Sequence, residues 1–192
     1  PLCNPVYGVR DSMSIGRPTL GAEVKVVDDS GSEVPLGSTG ELIIKGVPGL
    51  TLMKGYFNNP EATAVAIRDN WFYTGDNVRI GDNGFCYFID RKKDMIKRAG
   101  ENVSPAEVEG VINEHPKVLE SAAVGVPDEM RDEAIKVFVT LKEGETAMEE
   151  EILGYCRERL MRLKVPSHIE FVKELPKTSV GKIQKYLLRD KK

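Results

Sequence analysis

The chain changes character at Arg91-Lys92-Lys93-Asp94-Met95-Ile96-Lys97-Arg98, eight residues that hold five positive charges and one negative charge. Residues 1–90 carry a net charge of −4, whereas residues 91–192 carry +1. A change of composition of this kind often marks a domain boundary. We therefore predict two lobes that meet at this stretch.

The part before the boundary is predicted to be rich in β-strands. Residues 22–28 alternate apolar and polar side chains, and residues 40–46 form an apolar run between two glycines. Residues 85–90 give a third strand after the turn sequence Gly81-Asp82-Asn83-Gly84. One helix is expected over residues 60–68, because Asn59 is a good N-cap and proline suits the first helical position.

The part after the boundary alternates helices and strands. Ser104-Pro105-Ala106-Glu107 is typical of a capping box at the start of a helix, and Thr146-Ala147-Met148-Glu149 repeats the pattern before a helix to about residue 163. Strands are predicted over residues 122–126, 134–141 and 168–173, and a short helix over residues 183–189. We therefore predict an α+β fold, with a β-rich lobe followed by a small α+β lobe.

Composition excludes several classes of protein. The 192 residues are 41% hydrophobic and 30% charged, which is typical of a folded globular chain. The net charge of −3 argues against general nucleic-acid binding, and no apolar run reaches the roughly 18 residues of a membrane span. The three cysteines are too widely spaced for a disulfide framework or a zinc site, so we expect a cytoplasmic protein. Because the chain begins at Pro1 rather than Met, we also expect a piece of a longer protein.

Lys182 is the first candidate functional residue. It follows Gly181, but a phosphate-binding P-loop needs a glycine where Pro176 stands, so that interpretation fails. Two interpretations remain open from the spacing: a solvated lysine on a surface loop at the start of a helix, or a lysine that contacts a phosphate or carboxylate as a point charge.

Asp76 is the second candidate. Tyr73-Thr74-Gly75-Asp76 places a carboxylate after what reads as a tight glycine turn. Such an acid is suited to accept hydrogen bonds from the two hydroxyls of a ribose, and the alternative is an ordinary Asx turn. The positive charges at residues 91–98 are suited to attract phosphates or simply to form a solvated surface.

Four motifs follow one another along the chain. They are Gly40-Glu41-Leu42 with Gly46 and Gly55-Tyr56; Trp71-Phe72-Tyr73-Thr74-Gly75-Asp76; residues 90–103 with Glu107-Val108-Glu109; and Pro176-Lys177-Thr178 with Gly181-Lys182. In this order and spacing they resemble the downstream core motifs of the adenylate-forming acyl-CoA synthetases. Residues 95–104 together with Arg131-Asp132-Glu133-Ala134-Ile135-Lys136 look most like crotonobetaine/carnitine-CoA ligases.

The resemblance implies a reaction in two steps. A carboxylate and MgATP give an acyl-adenylate and pyrophosphate, and the adenylate then acylates the thiol of CoA with release of AMP. By position, Asp76 matches the acid that binds the ribose hydroxyls of ATP or AMP, and Arg91 matches an arginine near the ribose and α-phosphate. Lys182 matches the lysine that bridges substrate carboxylate and phosphate and stabilises the charge of the adenylation transition state.

The resemblance also implies that the second lobe moves. Lys93 matches a hinge, at residues 91–93, about which residues 94–192 turn as a mobile lid. Gly100, with Ala99 and Glu101, matches a loop that faces the active site during thioester formation, and Lys97 lies on the same face. One lid cannot present both Lys182 and this loop at once, so a rigid-body rotation exchanges them.

The family's phosphate loop, acyl pocket and most of its adenine site have no counterpart in this chain. The Thr-Glu pair that supplies a magnesium ligand is also missing, since Gly8 is followed by Val9-Arg10. The resemblance therefore implies that residues 1–90 are the last β-rich, barrel-like subdomain of a larger domain and that the rest is the lid. We expect the chain to have no metal ligand of its own and to be inactive alone. Its expected partners are the N-terminal part of its own chain, a small carboxylate, ATP or AMP, Mg²⁺ bound by upstream residues, and CoA. No nucleic acid or membrane is expected as a partner. Self-association stays open.

Two other functions stay open at this point. One is a noncatalytic module that kept the fold and lost the chemistry. The other is an adenylation domain that loads amino or aryl acids onto the thiol of a carrier protein, because the same motifs serve that reaction.

Overall fold

The computed structural model describes residues 1–8, 10–128, 130 and 132–189. Val9 and Arg131, which entered the sequence comparison, lie outside the described residues. The chain divides into two compact units, Pro1–Lys93 and Asp94–Lys192. No helix among the described residues is long and apolar enough to cross a membrane.

The first unit is mainly antiparallel sheet. It opens with β1 (Leu2–Cys3) and β2 (Arg17–Pro18), which pair with each other. The other elements in chain order are β3 (Val24–Val27), β4 (Thr39–Lys45), α1 (Pro60–Ala66), β5 (Ile67–Arg68), β6 (Trp71–Ile80) and β7 (Cys86–Arg91). Five of the strands form one sheet in the order β3-β4-β6-β5, with β7 also on β6.

This sheet is stabilised by burial of alternate side chains. Val26, Leu42 and Val78 come from three neighbouring strands and form one apolar cluster, because every second side chain of a strand points to the same face. The long central strand β6 contacts both β4 and β7. Residues on β6 are therefore held from both sides, which matters for Asp76.

The second unit combines a sheet with helices. Its elements are β8 (Ile96–Arg98), β9 (Glu101–Val103), α2 (Pro105–Asn113), β10 (Val118–Asp128), β11 (Asp132–Leu141), α3 (Glu149–Arg159), β12 (His168–Phe171) and α4 (Tyr186–Arg189). The strand order is β10-β11-β8-β9, with β12 pairing parallel to β11 and the other pairs antiparallel.

The two faces of this sheet bury two different cores. Val137 and Val139 of β11 belong to the cluster that includes α2 and α3, whereas Phe138 between them belongs to a second cluster with Leu175 and Leu188. The alternation follows from the two-residue period of a strand. The second cluster packs the C-terminal segment, which contains Lys182, against the face of the sheet opposite α2 and α3.

The predicted α+β class is confirmed, and most of the predicted elements are present. Asn59 caps α1, its Oδ1 accepting a hydrogen bond of 3.0 Å from the backbone N–H of Ala62. Ser104 caps α2, its Oγ accepting from the N–H of Glu107 at 3.4 Å. These caps were predictable because the capping residue and its partner are three residues apart.

Several helix boundaries were predicted wrongly. The helix at Pro60 ends at Ala66, because Ile67 and Arg68 pair with β6 instead. The helix predicted from Thr146 begins at Glu149 after Met148, which makes no side-chain capping bond, and it ends at Arg159.

The terminal helix begins only at Tyr186 instead of residue 183. The segment before it is used differently, because Lys177 and Ile183 form an isolated antiparallel bridge. The hydrophobic pattern of the sequence did not indicate this pairing between residues 177 and 183, although the two are close in sequence.

Candidate functional site

Asp76 lies in the middle of β6 and not on a tight turn as predicted. Glu41 and Ile43 of β4 face Asn77 and Tyr73, so the three residues 74–76 oppose the single residue between them. Extra residues in one strand of a pair form a bulge. Gly75 has φ of +71°, a conformation that costs glycine little. The bulge therefore explains the glycine that was assigned to a turn.

Glu41 fixes the bulge from the neighbouring strand. Its side chain is almost fully buried, and its Oε1 accepts a hydrogen bond of 3.0 Å from the N–H of Gly75. Thr74 donates from Oγ1 to the carbonyl of Leu42 at 2.8 Å and accepts from the N–H of Asp76 at 3.1 Å. The backbone that carries Asp76 is thus held by three side-chain hydrogen bonds.

Arg91 is the cross-strand neighbour of Asp76, because β6 and β7 pair these two residues directly. Its Nε lies 3.1 Å from Asp76 Oδ1. The alignment is that of an ion pair and not of a hydrogen bond, and Oδ1 is buried without a hydrogen-bond donor among the described residues. The side chain of Arg91 is 55% exposed and that of Asp76 is 30% exposed, so parts of both other than Oδ1 remain accessible to solvent.

The three residues predicted as a hinge, 91–93, lie in different local environments. Arg91 ends β7, whereas Lys92 and Lys93 begin a 3₁₀ turn over Lys92–Asp94. Lys92 Nζ lies 2.8 Å from Asp29 and 2.9 Å from Glu41. Partial burial opposes its charge, but these two carboxylates raise the pKa of Lys92 above its usual value. Lys93 is exposed and is the last residue of the first unit.

Ala99 and Gly100 form the two-residue turn of the hairpin β8–β9. Arg98 and Glu101 flank it as partners, and both turn residues have positive φ, +51° and +82°. Two such residues are typical of a type I′ hairpin turn. Ala99, Gly100, Glu101 and Lys97 are all exposed. The predicted loop is thus the two-residue tip of a hairpin, and the sequence pattern did not reveal the strands beside it.

Arg98 differs from the other positive charges of residues 91–98. It is buried, and its guanidinium donates to the carbonyl of Val165 at 2.6 Å and to Ser167 Oγ at 3.2 Å. Neither alternative considered for residues 91–98, phosphate attraction or a solvated surface, applies to this buried side chain. Its charge holds the segment before β12 against the hairpin.

Lys182 lies on a tight hairpin and not at the start of a helix as predicted. The N–H of Thr178 donates to the carbonyl of Lys182 at 2.8 Å, and the N–H of Lys182 donates to Thr178 Oγ1 at 3.1 Å. Gly181 closes the turn with φ of +80°. The side chain of Lys182 is exposed, and no ion pair of its ammonium occurs within the described part of the chain.

Ion pairs anchor the chain on both sides of Lys182. Lys177 Nζ lies 2.7 Å from Glu120, and Lys185 Nζ lies 2.7 Å from Glu109. Further along, Arg189 pairs with Asp94 at 2.9 Å. The ion pairs of Lys177 and Lys185 therefore restrain both ends of the hairpin that carries Lys182 at its tip. Sequence reasoning did not identify these acids, because their partners are dozens of residues away in the chain.

The candidate residues fall into two groups. Asp76, Arg91 and Lys93 belong to the first unit, and the hairpin at residues 97–101 and Lys182 belong to the second. Within the described residues, no cluster of three or more His, Cys, Asp or Glu side chains is suited to hold a metal ion. The residues that the structure describes therefore do not assign a magnesium site to this chain.

Comparison with protein families matches both units. Residues 2–57 match the AMP-binding enzyme family, and residues 107–182 match the AMP-binding enzyme C-terminal domain. The chain is 48% identical over 171 residues to a crotonobetaine/carnitine-CoA ligase of Escherichia coli O139:H28, covering 88% of this chain and 33% of the relative. For the ligase of Proteus mirabilis the identity is 47% over 173 residues, covering 90% and 33%. The chain thus spans about a third of the length of these curated relatives.

Solved structures show the same fold. ATP-bound MatB from Rhodopseudomonas palustris has a TM-score of 0.88 at 34% identity, with 97% of this chain and 37% of that chain covered. The o-succinylbenzoate CoA synthetase MenE from Bacillus subtilis, in complex with its acyl-adenylate intermediate, has a TM-score of 0.82 at 32% identity, with 94% and 36% covered. The resemblance inferred from the four motifs is therefore confirmed.

Proposed function

Because the chain belongs to the family of AMP-binding, adenylate-forming enzymes, we propose that it supplies the nucleotide-binding acid and the catalytic lysine of an acyl-CoA ligase. The intact enzyme activates a carboxylate with ATP and transfers the acyl group to CoA. The observation that carries this proposal is the presentation of Lys182 on an exposed, anchored hairpin tip. A cation held in this way is suited to a ligand that arrives from solution.

In the first step a carboxylate oxygen of the substrate attacks the α-phosphorus of ATP, and the bond to the β-phosphate oxygen breaks to release pyrophosphate. Lys182 stabilises the negative charge shared by carboxylate and phosphate in the transition state. Asp76, whose side chain is 30% exposed, accepts hydrogen bonds from the ribose hydroxyls. Arg91 neutralises Asp76 and directs its remaining N–H groups to the phosphate side.

In the second step the CoA sulfur, having lost its proton, attacks the acyl carbon, and AMP leaves with the bonding electrons. The hairpin tip at Ala99 and Gly100 borders the site in this step. Because Lys182 and this tip cannot both face one adenylate, the second unit turns about residues 91–93 between the steps. Lys93, exposed at the end of the first unit, is the proposed pivot.

The proposed acyl substrate is crotonobetaine or carnitine. The identity of 46–48% to ligases of that name supports this choice. The four motifs themselves are compatible with other carboxylates, so substrate identity rests on this similarity alone.

The substitution Lys182→Ala tests the function in the full-length protein that contains this chain. Adenylation is measured as pyrophosphate release from ATP with crotonobetaine, and thioester formation as the reaction of pre-made crotonobetainyl-AMP with CoA. We expect adenylation to fall by about 10² or more while thioester formation is retained. Lys173→Ala, an exposed lysine of the same unit, is the control. Unchanged rates in both half-reactions would support a noncatalytic module instead.

The 192-residue chain alone is expected to be inactive, because it spans about a third of the length of its curated relatives. Pyrophosphate release by the isolated chain, with ATP and crotonobetaine, would contradict this proposal. The assay is meaningful only beside the full-length protein, measured at the same concentration.

A further inference from the structure

On the side of β8 that faces away from β9, the backbone N–H of Lys97 needs a hydrogen-bond acceptor. In a hairpin with a two-residue turn, the flanking residues Arg98 and Glu101 exchange their backbone hydrogen bonds. The next pair, Lys97 and Asn102, then points its N–H groups away from the partner strand. The N–H of Lys97 therefore faces the side of β8 on which β11 lies.

A side chain of β11 accepts this hydrogen bond. The Oε2 atom of Glu133 lies 2.7 Å from the backbone nitrogen of Lys97. Between β8 and β11 the register contains the single pair Asp132 and Arg98. The carboxylate of Glu133 thus replaces a backbone acceptor where the backbones of β8 and β11 diverge. The residue that it holds, Lys97, lies two positions before Ala99.

The opposite strand leaves room for this carboxylate. A Cβ atom built on Gly125 of β10 would lie 2.6 Å from the carboxyl carbon of Glu133 and 2.6 Å from its Oε2. Real Cβ atoms do not approach so closely, so any larger residue at position 125 has to displace the carboxylate. Because that group is the end of a flexible side chain, the displacement costs the fold little.

We infer that Glu133 is a positioning residue for the Ala99–Gly100 tip and therefore for the CoA step alone. The inference rests on the proposed function, because it takes the tip as the surface used in thioester formation. Glu133 acts by holding β8 through the Lys97 N–H, and Gly125 permits the position of its carboxylate. Neither residue contacts the Lys182 hairpin through any interaction found among the described residues.

Two substitutions disturb this contact in different ways. Glu133→Ala removes the carboxylate, and Gly125→Ala displaces it without changing Glu133. In the full-length protein we expect each to slow the single-turnover reaction of crotonobetainyl-AMP with CoA by about tenfold or more, since misplacement by about 1 Å has effects of this size. Adenylation should stay within about twofold of the unsubstituted protein. Glu133→Gln keeps an oxygen acceptor and should retain most of the thioester rate.

Gly110→Ala is the matched control for the glycine substitution, because nothing lies within 4 Å of a Cβ atom at that helical position. A second readout is independent of activity. Amide hydrogen exchange at Lys97 should be about tenfold faster in Glu133→Ala and Gly125→Ala, since the N–H loses a charged acceptor.

The outcomes distinguish the role of Glu133 from the proposed function. Unchanged exchange at Lys97, or an equal loss in both half-reactions, overturns the inference even when the unsubstituted protein is active. If the unsubstituted protein performs neither half-reaction, the proposed function fails, and the assignment of Glu133 to the CoA step fails with it. Faster exchange at Lys97 in the variants would then still support the contact between Glu133 and Lys97.

Discussion

The carboxylate of Glu109 joins α2 to the segment that carries Lys182. Its Oε1 lies 2.7 Å from Lys185 Nζ and accepts a hydrogen bond of 2.7 Å from the N–H of Ala123. Both members of the ion pair are only 16% exposed, so solvent screens the interaction less than at a surface pair. Lys182 stands three residues before Lys185, so the pair restrains the base of its hairpin.

Replacing Glu109 should therefore impair adenylation. We expect Glu109→Gln to lower the rate of pyrophosphate release about fivefold, equivalent to about 1 kcal/mol, because the amide keeps the hydrogen bond to Ala123 but loses the charge. Glu107→Gln is the control, since Glu107 pairs with Lys164, away from the C-terminal segment. Equal effects of the two substitutions would show that the tether to Lys185 has no special role.

Gly75→Ala should affect both stability and nucleotide binding. A Cβ atom there meets nothing within 4 Å, so the cost is backbone strain at φ of +71°, about 1 kcal/mol. Relaxation of the bulge should also move Asp76 and raise the KM for ATP. Gly37→Ala has the same strain at φ of +86° in an exposed turn. It should reduce the free energy of unfolding similarly but leave the KM for ATP unchanged; if both variants shift that KM alike, the bulge does not position Asp76.

Ser104→Ala should destabilise the second unit by about 1 kcal/mol, because α2 loses the side chain that caps the N–H of Glu107. Urea denaturation followed by circular dichroism measures the change. Thr146→Ala is the informative comparison, because the sequence suggests a cap there but α3 begins at Glu149. Its stability should be nearly unchanged, and a loss as large as that of Ser104→Ala would contradict the observed helix start.

The cysteines should differ in reactivity. Cys3 is exposed, whereas Cys86 and Cys156 are buried. Burial raises the pKa of the Cys86 thiol and raises that of Cys156 to about 11. A raised pKa leaves about one thiolate per thousand at pH 8 for Cys156, and the thiolate is the reactive form. Iodoacetamide at pH 8 should thus modify Cys3 first, and Cys86 and Cys156 only in denaturant. Peptide mass spectrometry measures the modification. Rapid modification of Cys156 in the folded protein would contradict its burial.

Motif spacing identified the local structure because the interactions involved are short in sequence. The cap by Ser104 and the cap by Asn59 each join residues three positions apart, and both are present. The strand at residues 22–28 was predictable from its alternating apolar and polar side chains, and the strand at residues 134–141 from its run of β-branched and aromatic residues, which the fold buries on both faces.

Local patterns misplaced the two main candidates. Asp76 and Lys182 each follow a glycine of positive φ, and the sequence suggested a turn and a helix start. The structure has a strand bulge and a hairpin, because β4 pairs with β6 and residue 177 pairs with residue 183. The pairing of β4 with β6 joins residues that are far apart in the sequence, and a local pattern does not contain such partners. The pairing of residues 177 and 183 is close in sequence but leaves no mark in the hydrophobic pattern.

The sequence by itself determined the family, the α+β class and which residues to consider, since residue types and their order along the chain carry that information. Only the tertiary structure decided how these residues are held. Glu41 supports the bulge of Asp76, Glu109 restrains the base of the Lys182 hairpin, and Glu133 accepts the N–H of Lys97. Glu41 is buried and Glu109 and Glu133 are partly buried, and each is stabilised here by a donor that folding brings from a distant part of the chain. Those partners are 34, 76 and 36 residues away, so the packed fold alone pairs them.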